Sequence, residues 1–321
     1  MKHHIALICD DNYCLPTIVC IQSLINTMGD NSQYIVHVCT FGLSKENCSK
    51  LYNLNRDNAE VVINKFNSLQ YENRLKQISQ KTHVTPTALI KFELPNYFSQ
   101  LDKLLYLDGD IIIKENIDEL LETNIDNYYL AASYEFYCRL NKIRYSFKRD
   151  YNDFYFNSGV MLLNLKKMRA NDVTSKLWHY KINLAKTQLM DQESLNAVCG
   201  KKTKHLSLIW NFNPVFYKQQ YIEEINHVYS EGFQSLTQIK YNVRIIHYVG
   251  KQDKPWIYKE ASFRDYWDAT YKTLLNRQEP ILKEFPQTKI SIFESVSNKI
   301  KMFGISGFFC FIINRILKTD I

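Results

Sequence analysis

Asp108-Gly109-Asp110 lies between two apolar runs, Lys103-Leu104-Leu105-Tyr106-Leu107 before it and Ile111-Ile112-Ile113 after it. The first run has the length and composition of a buried strand. Alternate residues of an extended segment point to the same side, so both carboxylates can reach one divalent cation and leave positions open for phosphate oxygens. An ordinary turn after a strand also favours Asp and Gly. The motif alone therefore leaves a metal site and a plain turn about equally open.

Short apolar runs alternate with helical patterns over the first half of the chain. This pattern predicts helices over 16–27 and from Ser44 onward, and strands at residues 5–9, 34–40, 60–63, 104–107, 128–133, 159–164 and 243–247. The alternation is typical of an α/β fold with an open, mixed sheet flanked by helices. Ligands of such sheets bind beyond the carboxyl ends of strands, where both Asp10 and Asp108 fall.

The composition is that of a globular protein with an anionic partner. The 321 residues are 45% apolar, and 40 Lys and Arg against 33 Asp and Glu give a net charge of +7. This mild excess suits a nucleotide, a phospholipid surface or a nucleic acid. The eight cysteines include no Cys-x-x-Cys pair, and no signal peptide is recognisable, so we expect reduced thiols in the cytoplasm.

The end of the chain differs from the rest. No repeat or flexible linker interrupts residues 1–280, which predicts one catalytic domain followed by a tail over residues 281–321. Five Lys and Arg surround the apolar run 302–313, which is too short to cross a bilayer. We interpret this basic and apolar helical tail as associating with an anionic membrane surface. A C-terminal helix packed on the domain is the other interpretation.

A second group of chemically active residues is His247-Tyr248-Val249-Gly250-Lys251-Gln252-Asp253-Lys254-Pro255-Trp256. A histidine that closes a strand can add a nitrogen ligand to two carboxylates, a mixture that suits Mn²⁺ better than Mg²⁺ or Ca²⁺. Gly250 permits close approach of the backbone, and Lys254 can meet the charge of a diphosphate. A lone histidine at a strand end is more often structural, and the neighbouring Gly, Lys and Trp favour a ligand here.

With these motifs in this order, the chain resembles glycosyltransferase family 8, which includes bacterial lipopolysaccharide galactosyl- and glucosyltransferases and the glycogenins. The resemblance extends over residues 5–256. The matching motifs are Asp10-Asp11-Asn12-Tyr13, residues 103–113, residues 156–165, Asp191-Gln192 with Leu195-Asn196, Trp210-Asn211-Phe212-Asn213 and residues 247–256. The resemblance implies a GT-A fold, a divalent cation that is usually Mn²⁺ with Mg²⁺ as the other candidate, and UDP-glucose or UDP-galactose as donor. It also implies retention of the anomeric configuration.

The resemblance also implies roles for individual residues. The metal would be bound by Asp108, Asp110 and His247. The nucleotide-sugar would be bound by Asp10, Asn12, Asp108, Gly109, Asp110, Gly250 and Lys254. The catalytic residues beside the donor sugar would be Asn157, Asp191 and Gln192, with Gln192 nearest the anomeric carbon. Because an amide is a poor nucleophile, we expect front-face attack, in which the departing phosphate oxygen takes the proton of the acceptor hydroxyl.

Some positions depart from the family pattern. Leu89 stands where relatives carry a donor-side arginine, and Lys91 is a candidate to replace that charge. Glu193 takes the third place of the usual Asp-Gln-Asp, and three residues rather than two separate Gly250 from Lys254. These departures leave the donor sugar open and do not affect the expected fold.

We expect the acceptor to be a cell-envelope glycan or glycolipid, such as a lipopolysaccharide or lipooligosaccharide core, and no nucleic-acid partner. The protein would then work in the cytoplasm, peripherally on the inner face of the membrane. Acceptor contacts are expected from Tyr134-Glu135-Phe136, with Phe212-Asn213-Pro214 and the aromatic cluster 151–156 as further candidates. For each aromatic side chain, packing in the core is an equally good interpretation.

Four other kinds of function are the alternatives to this one. An Asp-x-Asp phosphohydrolase needs its motif after the first strand, whereas this motif lies at residue 108 and is followed by isoleucines. A sugar-nucleotide pyrophosphorylase would open with a glycine-rich loop, and residues 5–13 contain no glycine. The lack of a Walker loop or a Gly-x-Gly-x-x-Gly motif argues against ATPase and dinucleotide chemistry. A non-catalytic nucleotide-sugar-binding membrane protein stays open because of Leu89.

Overall fold

A computed structural model describes most of the chain, namely residues 2–29, 31–78, 86–140, 154–184, 191–250, 253–274 and 282–284. The expected boundary at residue 280 and nearly all of the expected tail lie outside these ranges. Membrane association of the tail therefore stays a prediction. None of the helices in the described ranges is both long and apolar enough to span a bilayer.

Nine strands form two sheets in the described part of the chain. Their bounds are β1 Lys2–Ile8, β2 Gln33–Thr40, β3 Ala59–Lys65, β4 Lys103–Leu107, β5 Ile111–Ile113, β6 Leu130–Tyr134, β7 Phe156–Asn164, β8 Thr203–His205 and β9 Ile245–His247. Every strand expected from the sequence is present, with ends shifted by a few residues. β5 and β8 were not predicted, because runs of three residues are too short to show an apolar pattern.

Helices flank the larger sheet, as the alternating sequence pattern predicts. The α-helices are α1 Cys14–Thr27, α2 Lys45–Tyr52, α3 Ser68–Lys76, α4 Leu94–Tyr97, α5 Asp118–Glu122, α6 Phe136–Leu140, α7 Leu165–Ala170, α8 Val173–Asn183, α9 Gln192–Cys199, α10 Ile222–Tyr229, α11 Leu236–Asn242 and α12 Arg264–Lys272. The start of α2 follows from local sequence. The Ser44 hydroxyl accepts a hydrogen bond from the Asn47 amide (3.2 Å), and Glu46 lies in the first turn.

Both faces of the larger sheet are buried. Along β4, Leu105 and Leu107 pack in one apolar cluster with residues of α1, whereas Leu104 and Tyr106 pack in a second cluster with residues of α8. This division follows from the period of two along a strand. A sheet covered on both faces leaves its edges and strand ends as the places where a ligand can enter.

The direction of β7 determines which residues reach the site. The seven-stranded sheet has the order β3-β2-β1-β4-β7-β6-β8. β7 is antiparallel to β4 and β6, whereas the other neighbouring strands pair in parallel. The amino end of β7, with Asn157, Ser158 and Gly159, therefore lies at the same sheet edge as the carboxyl ends of β1 and β4. The sheet is mixed, as expected.

The small second sheet joins two segments that are far apart in the sequence. β5 and β9 are antiparallel, and Ile111 lies opposite His247. The backbone amide of Tyr248 donates to the carbonyl of Asp110 (3.0 Å), which extends this pairing beyond the strand. The pairing holds the end of β9 against the Asp108-Gly109-Asp110 turn.

Candidate active site

Three side chains with metal-binding groups reach one point, two from the turn between β4 and β5 and one from the end of β9. Asp108 follows β4, Asp110 precedes β5 and His247 ends β9. One ligand atom of each of these residues lies within 4.8 Å of the others. The structure therefore brings together the three residues to which the resemblance assigns a metal.

Each oxygen of Asp108 has a different environment. Oδ1 accepts a hydrogen bond from the Tyr106 hydroxyl (2.6 Å) and lies 3.1 Å from Nζ of Lys91. Oδ2 lies 3.7 Å from Nε2 of His247. The donors on Oδ1 fix the carboxylate so that Oδ2 faces the imidazole.

Asp110 repeats this arrangement. Its Oδ2 accepts hydrogen bonds from the Tyr13 hydroxyl (3.0 Å) and from Nζ of Lys254. Its Oδ1 is buried and accepts no hydrogen bond from the described residues, while Nε2 of His247 lies 3.2 Å away. Burial alone would raise the pKa of Asp110, but the positive charge of Lys254, together with the neighbouring His247 ring, outweighs it and holds that pKa well below its usual range.

The convergent atoms fit a divalent cation. Asp108 Oδ2, Asp110 Oδ1 and His247 Nε2 all face one another, and the remaining carboxylate oxygens are occupied by donors. A buried carboxylate oxygen without a donor costs free energy, and a bound cation would remove that cost. Two carboxylates and one imidazole make the mixed oxygen and nitrogen set that suits Mn²⁺.

Beside these three residues lies a cavity of about 380 Å³. It is lined by Ile8, Asp10, Asn12, Tyr13, Thr87, Ala88, Lys91, Tyr106, Asp108, Gly109, Asp110 and Asp191. Five of the residues predicted to bind the nucleotide-sugar therefore line the same cavity, together with the predicted catalytic residue Asp191. Oδ1 of Asp10 accepts a hydrogen bond from the Tyr13 amide (3.0 Å) and so caps the short helical turn Asp11–Tyr13.

Lys91 supplies a positive charge between two carboxylates. Its Nζ lies 2.6 Å from Oδ2 of Asp191 and 3.1 Å from Oδ1 of Asp108. Its side chain is 5% exposed, and Nζ also lies 4.6 Å from the centre of the Tyr106 ring. Burial would lower the pKa of Lys91, but Asp108 and Asp191 raise it above its ordinary value, so the side chain is charged.

Leu89 is packed in the core and faces away from this ion pair. It is 0% exposed and belongs to the apolar cluster on the α8 side of the sheet. Leu89 and Lys91 both lie in the 3₁₀ helix Pro86–Glu93, where residues two apart point in different directions. Lys91 is the predicted candidate to replace the missing arginine charge, and its charge lies beside Asp108 and Asp191.

The predicted donor-sugar residues meet at the amino end of β7. The Ser158 hydroxyl donates to Oδ2 of Asp191 (2.9 Å), and the Ser158 amide donates to Oε1 of Gln192 (3.1 Å). Nδ2 of Asn157 donates to Oε2 of Glu135 (2.7 Å). The structure therefore brings Asp191 and Gln192 onto Ser158, while the side chain of the adjacent Asn157 bonds to Glu135.

Two glycines allow the close packing of the site. A Cβ on Gly159 would lie 2.1 Å from Cε1 of His247, and a Cβ on Gly109 would lie 2.5 Å from the Thr17 hydroxyl oxygen. Either distance is shorter than any ordinary contact. Gly250 has a φ of 98°, which glycine adopts at little cost, so the backbone can turn sharply after β9.

The remaining residues singled out in the sequence do not all face the cavity. Lys254 is held on Asp110 and on the Tyr248 carbonyl, so its contact with a diphosphate stays a prediction. Phe212 is 0% exposed in the core, which supports the packing interpretation for this aromatic. Glu193 is buried and accepts a hydrogen bond from Tyr180 on α8 (3.2 Å). Residues 151–153 of the aromatic cluster lie outside the described residues.

Sequence reasoning gave no role to Tyr106 or Ser158, although both contact predicted site residues. Tyr106 precedes Asp108 by two positions, so the period of a strand places their side chains on one side. That signal was available in the sequence. Ser158 was quoted within its motif, but its contact with Asp191 on a distant segment leaves no local pattern.

Comparisons with known proteins agree with this geometry. The sequence model of Glycosyl transferase family 8 matches residues 4–260. A putative glycosyltransferase of Haemophilus influenzae is 26% identical over 68% of this chain and 62% of its own length. A lipopolysaccharide 1,2-glucosyltransferase of Escherichia coli is 28% identical over 77% of this chain and 71% of its own length.

Solved structures share the fold. The galactosyltransferase LgtC, in complex with donor and acceptor sugar analogues, superimposes with a TM-score of 0.68 at 22% identity, covering 86% of this chain and 98% of LgtC. This likeness establishes a GT-A fold. The chain spans 62% of the Haemophilus influenzae relative and 54% of glycosyltransferase GlyB of Streptococcus pneumoniae. Since the family match covers residues 4–260, this chain belongs to glycosyltransferase family 8.

Proposed function

We propose that the protein is a retaining, metal-dependent hexosyltransferase that moves glucose or galactose from a UDP-sugar to a cell-envelope glycan. The observation that carries the proposal is the convergence of Asp108, Asp110 and His247 beside the cavity. Family membership supports a nucleotide-sugar donor and a glycan acceptor. The choice of Mn²⁺, with Mg²⁺ as the other candidate, rests on the ligand set.

The diphosphate of the donor would lie against the positive groups of the site. A divalent cation held by Asp108, Asp110 and His247 would neutralise the charge that grows on UDP as the glycosidic bond breaks. Lys254 already lies on Asp110, within reach of the same region. Asp10 and Asn12 also line the cavity, and we place the uridine beside them.

Lys91 prevents the carboxylates of the site from repelling an anionic donor. Without it, Asp108 and Asp191 would have no Lys or Arg of the described residues within hydrogen-bonding distance. Two carboxylates close together disfavour each other's charge and any further anion. We therefore assign Lys91 to the donor pocket, where it supplies the positive charge that the arginine supplies in relatives.

The contacts of Asp191 and Gln192 favour front-face attack. Oδ2 of Asp191 is engaged by Lys91 and Ser158, which reduces its strength as a nucleophile. Oε1 of Gln192 accepts from the Ser158 amide, and an amide oxygen is a weak nucleophile in any case. We propose that both groups orient the sugar and that the leaving phosphate oxygen accepts the proton of the acceptor hydroxyl.

The proposed acceptor is a lipopolysaccharide or lipooligosaccharide core. This part of the proposal is supported by the name of the Escherichia coli relative and by the basic tail over residues 281–321. We place the catalytic domain over residues 1–280 and the tail on the inner face of the cytoplasmic membrane. Glu135 and Tyr134 are the acceptor-side candidates, since Glu135 contacts Asn157 (2.7 Å).

A donor panel tests the proposed activity. The full chain is incubated with UDP-glucose, UDP-galactose and related donors, with Mn²⁺, Mg²⁺ or a chelator, and release of UDP is measured. We expect metal-dependent release from one donor, and an unchanged anomeric configuration in the product by proton NMR. Release of inorganic phosphate from simple esters would instead favour a phosphohydrolase. Sugar covalently bound to Asp191 or Gln192 in mass spectrometry would contradict front-face attack.

Vesicle binding tests the proposed location. The full chain should sediment with vesicles that contain anionic phospholipid and not with neutral vesicles. A variant with Gln in place of the five basic residues of 288–321 should lose this binding and keep activity on a soluble acceptor. Equal binding to neutral vesicles, or unchanged binding of the variant, would contradict the electrostatic association.

A further inference from the structure

A row of buried side-chain hydrogen bonds lies behind the proposed metal ligand His247. Nδ1 of His247 is 2.9 Å from Oδ1 of Asn211, and Nδ2 of Asn211 donates to Oδ1 of Asn157 (3.0 Å). Nδ2 of Asn157 donates in turn to Oε2 of Glu135 (2.7 Å). The row therefore runs from the carboxylate of Glu135 to the imidazole.

The direction of every bond in this row is fixed by one backbone amide. The amide of Gly159 donates to Asn157 (2.9 Å), so the atom that accepts must be the side-chain oxygen. The Asn157 nitrogen then faces Glu135, whose carboxylate can only accept. Because the Asn157 oxygen also faces Asn211, Asn211 must present its nitrogen there and its own oxygen to His247.

This direction determines the state of the imidazole. An amide oxygen only accepts, so Nδ1 of His247 must carry a proton. In the neutral ring Nε2 then has a lone pair, and Nε2 is the atom that faces Asp108 and Asp110. With the opposite tautomer, the Nε2 proton would occupy the position of a metal.

We propose that Asn211 is a positioning residue that sets the tautomer of His247 for metal binding, and that Asn157 sets the direction of Asn211. The inference rests on the proposed function in one respect, namely that His247 binds a metal. Asn211 touches neither the convergent ligand atoms nor the cavity lining. Partners of this kind hold the ring of a metal-binding histidine and strengthen the ligand.

Because the row is buried, each side chain in it depends on the others for its hydrogen bonds. His247, Asn211 and Asn157 are 3%, 6% and 8% exposed, so bulk water cannot easily replace a lost partner. Asn157 is also one of the predicted donor-sugar residues. A change on the sugar side of the pocket therefore reaches the metal ligand through two hydrogen bonds.

The tautomer can be measured directly in the metal-free protein. Long-range proton–nitrogen NMR of protein labelled with ¹⁵N-histidine distinguishes Nδ1–H from Nε2–H, at about pH 9 where an ordinary histidine is neutral. We expect Nδ1–H for His247 in the wild type and a mixture or the Nε2–H form in Asn211→Leu. Asn211→Asp loses the donor to Asn157 but keeps the acceptor for Nδ1, and so should keep Nδ1–H. Asn157→Ala should give a mixture, because Asn211 loses its direction.

Binding of Mn²⁺, with and without UDP, is followed by the electron paramagnetic resonance of the free ion. Asn211→Leu should weaken binding roughly 10–100-fold, Asn157→Ala less, and Asn211→Asp little. Asn64→Leu is the matched control, since Asn64 contacts a different histidine, His37 (3.2 Å). It should alter the signals of His37 and leave both His247 and Mn²⁺ binding unchanged.

Different results would overturn the role of Asn211 and the proposed function. Nδ1–H retained in a folded Asn211→Leu, or loss of Nδ1–H in Asn211→Asp, would overturn the role of Asn211. A wild type with Nδ1–H at His247 that binds no Mn²⁺ in the presence of UDP would overturn the proposed function and leave the tautomer assignment intact. If Asn211→Leu does not fold, Asn211→Asp and Asn157→Ala still decide the question.

Discussion

Two groups of polar side chains lie in different parts of the fold, and they are built in opposite ways. The metal cluster consists of Asp108, Asp110, His247 and Lys91, and the histidine pair consists of His4 and His37. In the pair, Nε2 of His37 lies 3.0 Å from Nδ1 of His4, and Nδ1 of His37 lies 3.2 Å from Nδ2 of Asn64. Both ring nitrogens of His37 therefore have a partner inside the protein.

In the metal cluster, by contrast, one buried acceptor has no hydrogen-bond donor among the described residues. Oδ1 of Asp110 receives no hydrogen bond from any described residue, although it is buried. His37 and His247 each contact an asparagine through Nδ1, yet the amide nitrogen faces one ring and the amide oxygen faces the other. The group that contacts one ring nitrogen of a buried histidine therefore determines whether the other nitrogen is free to bind a metal.

Charge separates the two groups as well. Burial, and after it the neighbouring His4, lowers the pKa of His37 to about 4, so the pair is neutral near pH 7. In the metal cluster the charges are kept, because Lys91 and Lys254 lie on the carboxylates. Burying charges in this way costs free energy that a neutral pair avoids. That cost is a reason to expect a function at the metal cluster and none at the pair.

Of the changes that test this difference, removing one charged residue of the metal cluster should have the largest effect, and that effect is on turnover. Asp110→Asn keeps the shape of the side chain but weakens a cation site, so we expect turnover to fall about 10³-fold, with the fold retained. UDP release and circular dichroism measure the two. Asp118→Asn is the control, since Asp118 accepts from Ser32 and Tyr34 (both 2.6 Å) away from the site. An active Asp110→Asn with unchanged metal dependence would remove Asp110 from the metal site.

Removing the buried cation should come next. Lys91→Met leaves Asp108 and Asp191 without their shared partner, and we expect a loss of about 3–5 kcal/mol in the free energy of unfolding and a strong loss of donor binding. Lys91→Arg should keep much of both. Adding Leu89→Arg to Lys91→Met should not restore stability, because Leu89 lies in the core. Denaturant unfolding with wild-type stability in Lys91→Met would contradict this assignment.

A single methyl group should disturb the metal cluster by contact alone. In Gly159→Ala the new Cβ would lie 2.1 Å from Cε1 of His247, so the ring must move. We expect Mn²⁺ affinity to fall by roughly tenfold or more and the free energy of unfolding to fall by about 1–3 kcal/mol. A Cβ on Gly42 or Gly232 meets nothing within 4 Å. Alanine at either position should leave Mn²⁺ binding unchanged, and an equal loss there would point to a general effect.

The histidine pair should affect only the pH dependence of the free energy of unfolding. Because the pKa of His37 is about 4 when folded and about 6.5 when unfolded, its contribution to stability is complete above pH 6.5. It is lost as pH falls from 6.5 to 4, since the unfolded chain then binds the extra proton, and it amounts to at most about 3 kcal/mol. Denaturant unfolding at several pH values should show this slope. His37→Gln should flatten it, and His179→Gln, at an exposed position, should not.

The fold and the convergence of Asp108, Asp110 and His247 could be predicted from local features of the sequence, whereas metal binding by these residues stays a prediction. The strands around Asp108 and His247 are continuous apolar runs, and polar residues at their ends are visible in the chain itself. The contacts of Lys91 were not predictable in the same way. Its partner Asp191 is 100 residues further along, and the residue two positions earlier points into the core.

The direction of β7 was a second limit of sequence reasoning. An apolar strand has the same pattern whichever way it runs, so nothing in residues 159–164 indicated that the strand begins at the site. The hydrogen bonds from Gly159 and Ser158 to site residues follow from that direction. Hydrogen-bond direction within buried amides likewise depends on the packed structure.

The pairing of β5 with β9 also has a consequence for how the chain folds. Lys254 and Asp110 are 144 residues apart, so the polypeptide between them must be ordered or closed into a loop before they meet. Contacts of such high sequence separation form slowly and late. During synthesis, the nascent chain would carry Asp108 and Asp110 for most of translation before His247, the third residue of the proposed metal site, and Lys254 emerge from the ribosome.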